Sequence, residues 1–164
     1  MQTFHLAQVN IGVTTGAMDS PQLAGFVALL PTINALADAA PGFVWRLVDD
    51  GGADATGLRP WGGETMVNMS VWESVEALAN FVYRSQHLEP LRRRREWFVA
   101  PTAPHQALWW IPAGHRPTTT EARERLDRLA RLGATPAAFT LREPYPSPAV
   151  EAAEKGALPG TVSA

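Results

Sequence analysis

Apolar and polar residues alternate along residues 3–11, TFHLAQVNI. This predicts a strand with Phe4, Leu6, Gln8 and Asn10 on one face and His5, Ala7, Val9 and Ile11 on the other. Asp19-Ser20-Pro21 predicts a helix start, a capping residue followed by a proline that the first turn tolerates. That helix should run towards Ala39, kink or split at Pro31, and stop at Pro41-Gly42. Residues 43–48 predict a second strand and 65–72 a third, separated by a long glycine-rich loop around Trp61. Residues 74–83 read as an amphipathic helix, with Ser74 as its cap and Val75, Leu78, Phe81 and Val82 on its apolar side. A break near Ser85 precedes further helical character over 87–97, and a fourth strand is expected at 106–111, between Pro104 and Pro112. Thr118 to Glu121 has the spacing of a capping box. It opens a helix to Leu132 with Leu126, Leu129 and Leu132 inward, stopped by Gly133, and 139–142 is expected to be a short last strand.

The order is strand, helix, strand, strand, helix, strand, then helix and short strand. It predicts an α+β, ferredoxin-like antiparallel sheet with helices on one face and a C-terminal helix–strand extension. Residues 1–146 form the expected domain, and 147–164, rich in proline, alanine and glycine, the expected flexible tail. The second sheet face also needs cover, and another copy of the chain is the expected source, hence a homodimer.

Composition narrows the function classes. The 164 residues are 46% apolar and 18% charged, enough for a substantial core, and the formal charge is −2. Such a balance gives no overall attraction to nucleic acid or to an anionic membrane. With no cysteine, disulfides and thiolate chemistry are excluded. The first residues lack a signal-peptide pattern and no stretch has the length of a membrane span, so a cytoplasmic location is expected. Arg92–Arg95 spread around a helix rather than forming one stripe. Glu89–Arg93 and Arg92–Glu96 are expected ion pairs, leaving room for one inward arginine that binds a carboxylate.

Trp72-Glu73-Ser74 at a strand end, an alanine- and phenylalanine-bearing helix, then Ser85 and His87 together resemble the dimeric α+β barrel superfamily, which includes antibiotic-biosynthesis monooxygenase-like proteins. FVYRSQH with LRRRREWF, LWWIPAGHRPT and AFTLREPYP is similar, more narrowly, to a family known only as a domain of unknown function. The resemblance runs from about Phe4 to Pro146. It implies a dimeric α+β barrel fold, and a group containing cofactor-free oxygenases of aromatic polyketides, small-ring isomerases and dehydratases, haem-degrading enzymes and non-catalytic proteins. Asn10 matches the first-strand asparagine of the haem-degrading branch. Phe81 stands where that branch has tryptophan, and its haem-ligating histidine would fall among the arginines here.

The residues suggest two main readings. In the first, the chain is an enzyme acting on a hydrophobic, aromatic or polyketide-like metabolite without metal or flavin. His87 would be the acid/base, its ordinary pKa lying near neutrality, with Tyr83 one helical turn before it. Asn10, with Gln8 on the same face, would orient a substrate carbonyl together with Asn68 and Ser70. Trp72, Phe81 and Trp110 would form aromatic walls, Arg46 would meet an anion, and His115 would reach ligand from a loop. In the second reading the same cleft binds a small molecule without turnover, or is purely structural. Haem binding through His87 or His115 is a third. His105 and His115 are separated by roughly 33 Å of extended chain, too far to share a metal, and no metal is expected.

Overall fold

The structure is a computed structural model that describes residues 2–84 and 92–156. The alternating segments become β1 (Phe4–Val13), β3 (Thr65–Trp72) and β4 (Gln106–Pro112). A shorter β2 (Phe43–Arg46) carries a register shift between Phe43 and Trp45. The sheet order is β2-β3-β1-β4, and every neighbouring pair is antiparallel. β1 and β2 therefore run parallel, joined through helix α1 (Ala24–Asp38), with β3 inserted between them. β3 and β4 are joined across β1 by the segment that holds α2 (Val75–Arg84) and the short α3 (Arg94–Trp97). This is the ferredoxin-like arrangement that the sequence predicts.

Register decides which residues share a face. Leu6, Gln8, Asn10 and Gly12 stand opposite Trp72, Ser70, Asn68 and Met66 on β3. On the other side Leu6, Gln8 and Asn10 stand opposite Trp110, Leu108 and Gln106 on β4. The ferredoxin helices lie over this face, where Leu78 of α2 packs with Leu6, Trp72, Leu108 and Phe139.

The opposite face is closed by the chain itself. Helix α4 (Thr119–Leu132) lays Ala122, Leu126 and Leu129 on it, and the loop between β2 and β3 adds Leu58 and Trp61. Beneath them Ala7, Val9, Met69, Val71, Ala107 and Trp109 are 0–1% exposed. Arg123 fastens helix to loop, its guanidinium 4.8 Å from the Trp61 ring centroid and its Nη2 donating to the Pro60 carbonyl at 2.6 Å. The C-terminal extension thus covers the surface for which the sequence argument invoked a second copy.

Several local expectations are corrected. The capping box forms, with the Glu121 N–H donating to Thr118 Oγ1 at 3.1 Å and the Thr118 N–H to the Glu121 carboxylate at 2.7 Å. Leu132, however, is 59% exposed. Each i+3 step falls short of a full turn by about 60°, so Leu132 has rotated off the stripe begun by Leu126. Pro31 does not split α1, which continues through it after a 3₁₀ turn at Pro21–Leu23. The proline is exposed, so water can meet the carbonyl that its missing N–H leaves free. The expected last strand shrinks to isolated bridges, Leu108 with Phe139 and Thr140 with Glu143. Within the segment expected as a tail, Pro148–Gly156 forms helix α5. Glu96 pairs with Arg93, at 3.0 Å, rather than with Arg92, and Glu89 lies outside the described residues.

Candidate functional site

The helices over the Gln8 face do not seat flush on it and leave a cavity of about 390 Å³. Its floor is polar because neighbouring positions on three strands carry amides or a hydroxyl: Gln8 and Asn10, Asn68 and Ser70, and Gln106. Gln8 Nε2 donates to Asn68 Oδ1 at 2.8 Å and to Ser70 Oγ at 3.1 Å, and the Trp72 indole N–H donates to the same Ser70 Oγ at 2.8 Å. Ser70 thereby uses both acceptor sites of its hydroxyl. The carboxamides of Asn10 and Gln106, half-buried and one rung further on, form no side-chain hydrogen bond among the described residues.

Aromatic clusters stand at both ends of this floor. At one, the Phe43 ring meets Trp72 edge-on at 5.4 Å and Phe81 stacks on Trp72 at 5.1 Å. At the other, Phe26 meets Phe98 edge-on at 5.2 Å and lies 5.6 Å from Trp97. From Leu6, beside Trp72, to Gly12, beneath Phe98, β1 advances about 20 Å. The lining is elongated, apolar at the ends and hydrogen-bonding in the middle.

Charge distinguishes the ends. Arg46 is neutralised by Asp38 at 2.7 Å, and that hydrogen bond raises its pKa above the ordinary value. Arg94 lies near Phe98 and makes no salt bridge among the described residues. Burial lowers its pKa, but a guanidinium remains charged at neutral pH. His105, also in the lining, has its pKa lowered by burial first and by the charge of Arg94 second. Its imidazole is accordingly neutral at pH 7.

The cavity gathers most of the residues singled out from the sequence. Asn10, Asn68, Ser70, Trp72, Phe81 and Arg46 line it, as does Tyr83, whose side of the wall is open to solvent. Trp110 and His115 are not brought to it. The Trp110 indole N–H donates to the Tyr145 carbonyl at 2.9 Å because the chain after Phe139 folds over that ring. His115 Nε2 lies 2.9 Å from Glu121 Oε1 at the start of α4, so a group held by His115 would stand outside the cavity. His87 lies outside the described residues. Among the described residues, no three His, Asp or Glu side chains cluster as a metal site, and no helix is long and apolar enough to cross a membrane.

The sequence does not single out Arg94, His105, Gln106 or Phe98 as cavity residues. Gln106 becomes a floor residue only once β4 pairs with β1 in register with Asn10. The sequence presents His105 only as a possible metal ligand. The 92–95 run allows one inward arginine, and the fold makes it Arg94.

Residues 5–155 match the family model described as Domain of unknown function (DUF3291). The chain belongs to this family. That bears out the narrower resemblance, and the DUF3291 chain has the ferredoxin-like fold that the broader one implies. No curated protein matches it. Solved structures similar to it include SnoaB, a cofactor-independent oxygenase from Streptomyces nogalater. That protein shares 18% identity over 70% of this chain and 95% of its own, with a TM-score of 0.42. A dabb family protein with a ferredoxin-like fold from Mesorhizobium loti shares 12% over 71% and 99%, TM-score 0.40. MupZ from Pseudomonas fluorescens shares 13% over 90% and 97%, TM-score 0.40.

Proposed function

We propose that this DUF3291 protein is a small-molecule enzyme that acts on a flat, hydrophobic, aromatic or polyketide-like metabolite by side-chain acid–base chemistry, without metal or flavin. The observation that carries this reading is the lining itself: a hydrogen-bonding amide floor between two aromatic clusters, with a neutral histidine beside an arginine. A planar ligand lies against the aromatic walls while its carbonyl or hydroxyl groups meet Asn10, Asn68 and Gln106. His105 takes a proton from a phenol or from a carbon next to a carbonyl, and the carboxamide N–H groups of Asn10 and Gln106 stabilise the oxyanion formed. That anion is the common starting point for isomerisation, cyclisation, dehydration or reaction with dioxygen.

The test is a panel of planar phenols and enolisable aromatic ketones. Compounds are screened by thermal shift on EDTA-treated protein, and products are then sought by mass spectrometry after incubation in air. Turnover is expected for at least one binder. His105→Gln should lower kcat about a hundredfold with KM little changed. Turnover unchanged by His105→Gln removes it as the base, and His87→Ala made in parallel tests the histidine favoured by the sequence. Binders that are never converted would replace the enzyme by a binding protein using the same cavity.

A further inference from the structure

We propose that the ligand of this cavity carries a carboxylate, and that Arg94 is the residue that selects it. The proposal rests on the reading of the cavity as a site for flat hydrophobic molecules and adds the charge such a molecule must bear. A guanidinium has five N–H donors in a planar fork. Arg94 directs Nη2 to the Ile11 carbonyl at 3.5 Å, a long contact, and meets no carboxylate among the described residues. Its neighbours differ: Arg93 is held by Glu96, and Arg46, the other arginine in the lining, by Asp38.

The backbone beneath Arg94 is shaped for it. A Cβ at Gly12 would come within 2.7 Å of Phe98 Cδ1 and 3.2 Å of Arg94 Nη2. Glycine at that position lets the ring and the guanidinium settle onto β1. The fork then lies at the level of the floor, on the same strand face as Asn10. The Phe98 ring lies 4.9 Å from the guanidinium carbon, a cation–π contact that holds the group in place. A desolvated cation without a counter-ion is unfavourable, and an anion on the ligand relieves it.

The available charge indicates which anion. A guanidinium with no carboxylate partner among the described residues, beside His105, matches a single negative charge, and its fork fits the two oxygens of a carboxylate. A phosphate dianion would call for a second cation or a cradle of backbone N–H groups. The opposite end, at Phe43, Trp72 and Phe81, is aromatic, so the apolar body of the ligand points there.

The experiment compares three probes of one shape, 2-naphthoate, 2-naphthamide and 2-naphthyl phosphate, by isothermal titration calorimetry on the full chain at low salt. The naphthoate is expected to bind at least about tenfold more tightly than the amide, in line with a charge-assisted bidentate contact. Arg94→Gln should abolish that preference and leave amide affinity nearly unchanged. Equal binding of acid and amide to the native protein overturns the proposal without needing any variant, and leaves the reading of the cavity standing. A preference that survives Arg94→Gln overturns the choice of residue. Tighter binding of the phosphate overturns the choice of carboxylate. Failure of all three probes to bind at millimolar concentration sinks both this proposal and the cavity reading beneath it.

Discussion

Removing the Ser70 hydroxyl should destabilise the protein far more than its size suggests. Its oxygen is the acceptor of the Trp72 indole N–H at 2.8 Å, and Trp72 is 1% exposed. In Ser70→Ala that N–H has no partner and no solvent, a cost of about 1–3 kcal/mol. Gln8 loses one of its two acceptors but keeps Asn68 at 2.8 Å, adding roughly 0.5–1 kcal/mol. The expected total is about 1.5–4 kcal/mol, a fall in Tm of roughly 3–16 °C for a chain of this size. Asn68→Ala removes an acceptor on an exposed residue and should cost under about 1 kcal/mol. A double-mutant cycle isolates the cause. With Trp72→Phe in the background there is no indole N–H to orphan, so Ser70→Ala should then cost about 1 kcal/mol or less. Urea unfolding followed by circular dichroism measures all the variants. Equal cost of Ser70→Ala in both backgrounds would refute the account of the floor as a shared acceptor.

Two further outcomes follow from the packing and the charges. Leu126→Ala, on the face closed by α4, should cost about 2–5 kcal/mol in the same assay, because Leu126 is 5% exposed among core residues of all three long strands. A near-neutral result would mean that α4 does not cover this face in solution. For His105 the folded pKa lies below the unfolded one, so below about pH 6.5 the unfolded chain binds more protons and stability falls as pH falls. His105→Gln should flatten this acid limb in a Tm-versus-pH series, and an unchanged limb would show that the imidazole is not buried neutral.

How much was legible in the sequence depended on the range of the interaction. Period-two alternation placed Gln8 with Asn10 and Asn68 with Ser70, and these become the cavity floor. Local hydrogen bonding was equally readable, as in the Ser74 cap that accepts from the Ala77 N–H at 3.1 Å and in the capping box of α4. Arg94, His105 and Trp110 were not readable, because their roles arise from pairings far along the chain. Arg94 matters through Gly12, 82 positions away, and Trp110 is taken out of the cavity by Tyr145, 35 positions on.

The dimer argument shows the same boundary from the other side. A ferredoxin-like sheet with helices on one face leaves the other apolar, and a second copy was the simplest cover to infer from element order alone. What the element order could not show is where the extension goes. The apolar stripe Ala122, Leu126, Leu129 on a capped helix was visible in the sequence, yet a stripe names no partner surface. Trp61, in a loop that reads as polar, and Arg123, on the solvent side of α4, join the two parts of that cover. With Val9, Ala107 and Trp109 already at 0–1% exposure, a second copy has no apolar area left to bury there. The strand side chains of this face are therefore not what a second copy would bury, and the cavity lies on the opposite side of the sheet.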